Sequence, residues 1–284
     1  MPVADYHDQF ASVFDTIYQD RDVAAESRYC TELLELDGVR GRGAHILDFG
    51  CGTGSHVFAF AESGLAATGF DVSTAMIAQA RKKAPSAGSA PVHFESGDFS
   101  DFRRHQNGTK FSGAVSLFNV FNCMPNPAAM LSHLCLIREG LAPGARFVVD
   151  VWNGAAVFAD EPRPSVRHFS VEKKPDHELV RITVPKLERI EQVCILHYRM
   201  LTLNRAAGSF TEFESVHTLR FLTPVQYRHL FEMGGMTIID EFVHGRPGTP
   251  VTEHDWYISY LLRNDDSSAS HTSPRDVTLE VVPR

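Results

Sequence analysis

The sequence predicts an α/β protein, a doubly wound parallel half-sheet with an antiparallel β appendage inserted after its fifth strand. Three observations predict it. From Ile46 to about Val151 short apolar runs alternate with helical patterns, the signature of parallel βαβ units. A glycine-rich turn, "DFGCGTG", stands where the first strand gives way to the first helix. Beyond Trp152 the alternation stops, and four β-branched and aromatic runs follow one another.

Taken in order, residues 1–42 read as a helical lid segment, because "FASVFDTIYQD" is amphipathic and too apolar for a solvated tail. Residues 43–152 form the ligand-binding core. "HILDFG" is its first strand, "HVFAFAES" a helix stopped at Gly64, and "AATGFDV" the second strand. "STAMIAQARKKA" is a helix with Ser73 as N-cap and Arg81, Lys82 and Lys83 in its last turn. "PVHFESGDF" and, after a polar loop from Arg103 to Lys110, "FSGAVSLFNV" are strands three and four. "AAMLSHLCLIREGL" is a helix, and the Pro143-Gly144 turn launches strand five, "APGARFVVDVW". Residues 153–222 are the appendage, built from "SVRHFSVEK", "ELVRITVP", "EQVCILHYRMLTLNR" and "GSFTEFESVHTLRFL". Residues 223–263 return to the core as the helix "TPVQYRHLFEMGG", capped by Thr223, and the strands "MTIIDEFV" and "DWYISYLLR". Residues 264–284 read as a polar tail, loose until "VTLEVV".

Composition narrows the function. A formal net charge of −8 without a basic stripe opposes a nucleic-acid partner. No apolar run is long enough to span a membrane, and the N-terminus lacks the apolar core of a secretory signal, so a cytoplasmic location is the expectation. Five widely spaced cysteines predict reduced thiols rather than a disulfide framework. Fourteen histidines show no metal-ligand spacing, and no metal is expected.

The glycines carry the chemistry. Gly50, Gly52 and Gly54 form G-x-G-x-G rather than the dinucleotide G-x-G-x-x-G, and Asp48 precedes them at the strand end. A pyrophosphate wants free amides at a helix N-terminus, whereas a carboxylate opposes an anion and welcomes an amine. The cofactor with an ammonium group and no phosphate is S-adenosyl-L-methionine. Cys51, Thr53 and His56 lie within or beside this turn. Asp71, seventeen positions after Gly54, ends the second strand, where a carboxylate accepts from both ribose hydroxyls. Val72 and Met76 lie on the adenine side, Asp98 is placed to accept from the adenine amino group, and Phe99 stands beside the ring. Leu117, Phe118 and Asn119 end strand four, on the cleft floor.

With "DFGCGTG", "GFDVS" and "SGDF" at successive strand ends, the block from about Gly43 to Asp150 resembles the class I S-adenosylmethionine-dependent methyltransferases. The resemblance implies a Rossmann-like seven-stranded sheet with its last strand antiparallel, and methyl transfer from a sulfonium to a nucleophile. Further, "VFDTIYQDRDVAAE" and the appendage resemble small-molecule N-methyltransferases that dimethylate the amine of nucleotide-linked sugars, and more distantly glycine N-methyltransferases. Phe14 stands where those relatives often carry tyrosine.

The acceptor side is read from fewer signals. Tyr18 is the candidate lid residue, its ring suited to a sulfonium; Tyr18 and His217 are the catalytic candidates. Phe14, Asn122, Trp152, Asn153, Tyr198 and Arg220 are candidates for substrate contact, with His217 and Arg220 on opposite faces of one strand. No residue stands out as a general base, which favours an amine acceptor. "FNVFN" in place of an "NPPY" signature opposes nucleobase or protein-amide acceptors. The expected substrate is thus a small molecule, such as an amino-sugar. The alternatives are O- or C-methylation of a natural-product intermediate, a non-catalytic binding protein of the same fold and, disfavoured by glycine spacing, a dehydrogenase. The patterned appendage also offers a homodimer face.

Overall fold

The computed structural model describes residues 7–265 apart from 38–40, 42, 84, 86–88, 106, 107, 109 and 172–175. Two helices come first, α1 (Asp8–Ile17) and α2 (Val23–Leu33), the second capped by the Asp22 carboxylate accepting from Ala25 N–H. The core then runs β1 (His45–Phe49), α3 (Ser55–Glu62), β2 (Ala66–Asp71), α4 (Thr74–Lys82), β3 (Val92–Ser96), α5 (Phe99–His105), β4 (Phe111–Ser116), a 3₁₀ turn (Phe121–Cys123), α6 (Pro127–Gly140) and β5 (Leu141–Trp152). After α7 (Gly154–Ala159) come β6 (Ser165–Ser170), β7 (His177–Glu188), β8 (Val193–Asn204) and β9 (Ser209–Arg220). α8 (Pro224–Met233), β10 (Thr237–Val243) and β11 (Tyr257–Arg263) complete the chain.

The main sheet has seven strands in the order β10-β11-β5-β4-β1-β2-β3. Neighbours are parallel except for β11, which is antiparallel to both β5 and β10. From β1 the chain winds outward through β2 and β3, then crosses back to lay β4 on the other flank of β1. This reversal opens a crevice beyond the carboxyl ends of β1 and β4, where open α/β sheets bind ligands. Alternation along β1 explains its burial on both faces. Leu47 and Phe49 join an aromatic-rich layer with Phe70, Phe99, Phe111, Phe147 and Tyr260, while Ile46 packs in a second layer with Val57, Phe60, Val115 and Val148.

The second sheet is a four-stranded antiparallel ladder, β6-β7-β8-β9. Its inward face carries Phe169, Leu179 and Met200 against Phe10, Ile17 and Met76, so the appendage is held to the core through α1. Where the chain leaves and re-enters the core, Asn153 and Leu222 form a parallel bridge. Two helices differ from the sequence expectation. Part of the expected polar loop after Arg103 belongs to α5, initiated by Asp98 accepting from the Ser100 and Asp101 amides. α7 opens the appendage ahead of its first expected strand, because the Asn153 side chain caps Ala155 N–H and starts a turn. The expected "VTLEVV" segment lies outside the described residues. Among the described residues no helix is long and apolar enough to cross a membrane.

Candidate active site

The glycine turn is fixed by strand β2, with the amides of Gly50 and Cys51 donating to the Phe70 carbonyl at 2.7 and 3.0 Å. Its three glycines, all at positive φ, serve different ends. A Cβ on Gly50 would lie 2.4 Å from both Val120 methyls, and one on Gly54 2.7 Å from the Phe94 ring, so these two admit close packing. A Cβ on Gly52 would approach only the Phe14 ring, at 3.6 Å. Gly52 is therefore the bare backbone of the turn that faces α1. Cys51 is buried beside Gly69.

Asp71 braces the turn from beneath, its two oxygens accepting from Gly52 N–H and Ser73 N–H, each at 2.8 Å. Burial pushes its carboxyl up and these amides pull it back, leaving further lone pairs for hydroxyl donors. Val72, next along the rim, is 63% exposed. Asp98 is exposed and occupied as the α5 cap, while Phe99 is buried among Phe49, Phe70 and Phe102. The structure thus puts Phe99 in the core rather than beside a ligand ring. Met76 lies in the layer beneath α1.

Asp48 is the site's most unusual group. It is 2% exposed, and its Oδ2 has no hydrogen-bond partner among the described residues. Burial raises its carboxyl to about 6, only partly opposed by the charges of His56 and Arg21. Close by, Glu26 accepts from Arg21 through both oxygens and from His56 Nε2 at 2.9 Å. Burial pushes Glu26 up, but these hydrogen bonds prevail and hold it at about 2. The Arg21 guanidinium lies 4.1 Å over the Phe118 ring, and Tyr18 meets the same ring edge-on at 4.5 Å. Arg21, Glu26, Tyr29, Leu117 and His244 line a cavity of about 180 Å³.

The inward face of the second sheet packs against α1. Arg181 is buried, lies 5.3 Å from the Tyr198 ring centroid and 5.7 Å from that of Phe169, and hydrogen-bonds the Tyr18 phenol. Its Nε has no partner, and among the described residues no carboxylate forms an ion pair with it. Thr183 Oγ1, Trp152 Nε1 and Asn119 Oδ1 are likewise buried without partners. His217 packs against Phe10 and Tyr198 at 4.6 and 4.9 Å and bonds Ser215 Oγ. Burial first, then the charges of His7 and Arg181, lower it to about 3, so it stays neutral near neutral pH.

Three acceptor candidates turn out to be joints. Asn122 donates to the Arg220 carbonyl and the Tyr227 hydroxyl and accepts from Trp152 N–H. Asn153 donates to the carbonyls of Thr252 and Asp255. Arg220 is tied to the carbonyls of Pro125 and Glu191. Trp152 stacks edge-on to Trp256, with only its Nε1 unpaired. Conversely, Arg21, Glu26 and Arg181 escaped the sequence reading. For Arg181 a signal existed, a charged residue in the inward register between Leu179 and Thr183. Arg21 had none, since it lies between two helices.

The sequence profile of a family described as "Methyltransferase domain" matches residues 41–183. The chain is 27% identical over 247 residues to the dTDP-3-amino-3,4,6-trideoxy-alpha-D-glucopyranose N,N-dimethyltransferase of Streptomyces venezuelae, covering 85% of this chain and 95% of that protein. It is 25% identical over 248 residues to the dTDP-3-amino-3,6-dideoxy-alpha-D-glucopyranose N,N-dimethyltransferase of Streptomyces fradiae, covering 87% and 90%. A solved S-adenosylmethionine-dependent methyltransferase from Clostridium acetobutylicum shares the fold at a TM-score of 0.72 and 17% identity, over 91% of this chain and 98% of that one.

Proposed function

Because the chain belongs to the methyltransferase-domain family and is an S-adenosylmethionine-dependent methyltransferase, we propose that it methylates the amine of a small amino-sugar carried on a nucleotide. The observation that carries the reading is Asp48, a buried carboxylate with an unused oxygen, near enough to the Arg21 cation for the two charges to interact. An amino-acid end group, cationic at its amine and anionic at its carboxylate, matches those two charges. Asp71 suits the ribose hydroxyls and exposed Val72 the adenine face. Among the described residues Lys83 is the basic group that reaches the glycine turn, at the Thr53 carbonyl, and a single cation is a poor match for a pyrophosphate. The bound cofactor supplies an electrophilic methyl group on a sulfonium.

What the chain supplies is position and dryness. α1 covers the glycine turn with Phe14, and Tyr18 closes on Phe118, so the crevice is shut from water on that side. An acceptor amine has to be unprotonated to attack. The buried Arg181 cation, facing the crevice without an anion, disfavours a second positive charge there. The same cation, with Thr183 Oγ1 and Trp152 Nε1 unpaired, suits an acceptor that carries negative charge and hydroxyls away from the amine. The two amino-sugar N,N-dimethyltransferases similar over most of their length support that acceptor class.

We place the protein in the cytoplasm, where five widely spaced cysteines stay reduced. Val166, Val184 and Phe210 share the outward face of the second sheet and are exposed, which supports pairing of two copies there. The decisive experiment incubates the protein with S-adenosylmethionine and dTDP-linked 3-amino sugars, free amino sugars and phenols, reading the products by mass. Addition of one or two CH2 units to the nucleotide-linked amine is expected. Methylation confined to oxygen overturns the acceptor assignment.

A further inference from the structure

Phe118 and Asn119 are consecutive non-glycine residues at positive φ, +71° and +62°, in the middle of the crevice. L residues disfavour that region, and two in succession at a site call for a compensating force. The force is visible. Asp150, 4% exposed at the end of β5, accepts from Phe118 N–H with Oδ2 at 2.7 Å and from Asn119 N–H with Oδ1 at 2.6 Å. Two successive amides turned inward by left-handed backbone make an anion-binding concavity, and this one is filled by the protein's own carboxylate.

Glycine would adopt the same backbone without strain, so the retained side chain is the point of interest. The Phe118 ring is the surface on which the N-terminal segment closes, under Arg21 on one side and against the Tyr18 edge on another. Arg21 in turn is fixed by Glu26 and lines the cavity with Tyr29, Leu117 and His244. A connected line therefore runs from β5 through the backbone of β4's exit to the lid. Around Asp150, His244 Nδ1 lies 3.9 Å from Oδ2 and is itself within 2.9 Å of Ser259 Oγ; Tyr29, Tyr257 and Cys30 also feel its charge.

We propose that Asp150 is a positioning residue for methyl transfer: by clamping the Phe118 and Asn119 amides it sets the Phe118 ring against which Arg21 and Tyr18 close over the cofactor. The proposal rests on reading this crevice as the methyl-transfer site. Asp150 touches neither reactant in this scheme, and its effect passes through Phe118.

Asp150→Asn keeps the size but turns a donor toward one of the two amides. Calorimetry with S-adenosylhomocysteine is expected to show affinity at least about tenfold weaker than wild type, the loss of one charge-assisted contact. Asn119→Gly in the same chain removes one strained residue and is expected to restore most of that affinity. Phe118→Ala alone is expected to weaken binding similarly, and adding Asp150→Asn to it to cost little more. Wild-type affinity in Asp150→Asn, or full additivity of the Phe118 and Asp150 changes, overturns the proposal. So does failure of the Asp150→Asn, Asn119→Gly chain to fold, since the carboxylate would then serve more than these amides. A wild-type protein that does not bind S-adenosylhomocysteine overturns the function reading first and this inference with it, an outcome told apart because no variant is involved.

Discussion

The Asp15 carboxylate on α1 accepts from the Thr53 hydroxyl in the glycine turn at 2.5 Å, joining α1 to that turn. Lys83 at the end of α4 completes a triangle, 2.8 Å from Asp15 and 3.0 Å from the Thr53 carbonyl. The lid is thus latched to two elements of the core. Asp15→Asn is expected to speed dissociation of S-adenosylmethionine about fivefold, the scale of one partly exposed charged contact. Stopped-flow displacement measures this; an unchanged rate means that α1 does not gate the crevice.

Gly50 and Gly52 differ in what surrounds them, and their alanine variants separate accordingly. Gly50→Ala adds a clash with Val120 to the φ of +82°, and a loss of about 3 kcal/mol in stability is expected. Gly52→Ala meets only ordinary contact with the Phe14 ring and carries the left-handed penalty, about 1 kcal/mol. Denaturant midpoints compare the two. Val120→Ala in the Gly50→Ala chain is expected to return part of the loss, and equal stability of the two alanine variants contradicts the packing role.

Asp48 makes cofactor affinity depend on pH. Its folded value of about 6 lies above the ordinary 3.8, so its stability contribution is full below the ordinary value and is lost as pH rises through 6. Binding has the opposite sign, because an ammonium group needs the carboxylate. Affinity for S-adenosylmethionine is expected to rise as pH increases through about 6 and then level. Asp48→Asn is expected to bind at least about tenfold more weakly near neutral pH, to lose that pH step, and to unfold at higher denaturant than wild type. Titration calorimetry over this range tests the first two, urea unfolding the third.

Acid stability turns on two other groups. Glu26, held at about 2 against an ordinary 4.5, gives stability present above 4.5 and lost as pH falls toward 2. His217, kept neutral down to about 3 against an ordinary 6.5, gives stability that declines as pH falls below 6.5. His217→Leu is therefore expected to flatten the decline between neutral pH and about pH 5, leaving the lower branch due to Glu26. Urea midpoints at several pH values separate these branches, and an unchanged upper branch removes His217 as its source.

Arg181 is predicted to act on the acceptor alone. Arg181→Met keeps the apolar stem among Phe169 and Tyr198 but removes the charge. It is expected to raise KM for a nucleotide-linked amino sugar about tenfold or more while leaving S-adenosylhomocysteine affinity within about twofold. Stability is expected to hold or rise, since a buried cation without a carboxylate is lost. Equal effects on both ligands would place Arg181 in the framework instead.

Much of the fold was legible because its elements obey local rules. Ser73 and Thr223 cap α4 and α8, and the glycine turn falls between β1 and α3 where strand pattern yields to helix pattern. α5 and α7 were missed because each is short and begins at a side-chain cap, Asp98 or Asn153, whose polarity reads equally as loop. In the site, Asp48 and Asp71 could be named because strand ends locate them. That Asn122, Asn153 and Arg220 bond neighbouring protein groups is not legible in the sequence, because a polar residue beside a cleft looks alike whether it faces a ligand or a neighbouring carbonyl. Arg21, Glu26 and Asp150 depend on partners far along the chain, and local periodicity carries no record of those distances.

The bridge between Asn153 and Leu222 brings the point where the second sheet leaves the core beside the point where it returns. An excursion whose two ends meet leaves the parent strands in register however long it grows, as closing a longer loop adds only slowly to the cost. The second sheet is in this sense a cassette, plugged into one socket at the end of β5. If, as proposed, its inner face meets the acceptor, exchanging residues 154–221 between related chains moves acceptor preference while the glycine turn and its strand ends stay as they are.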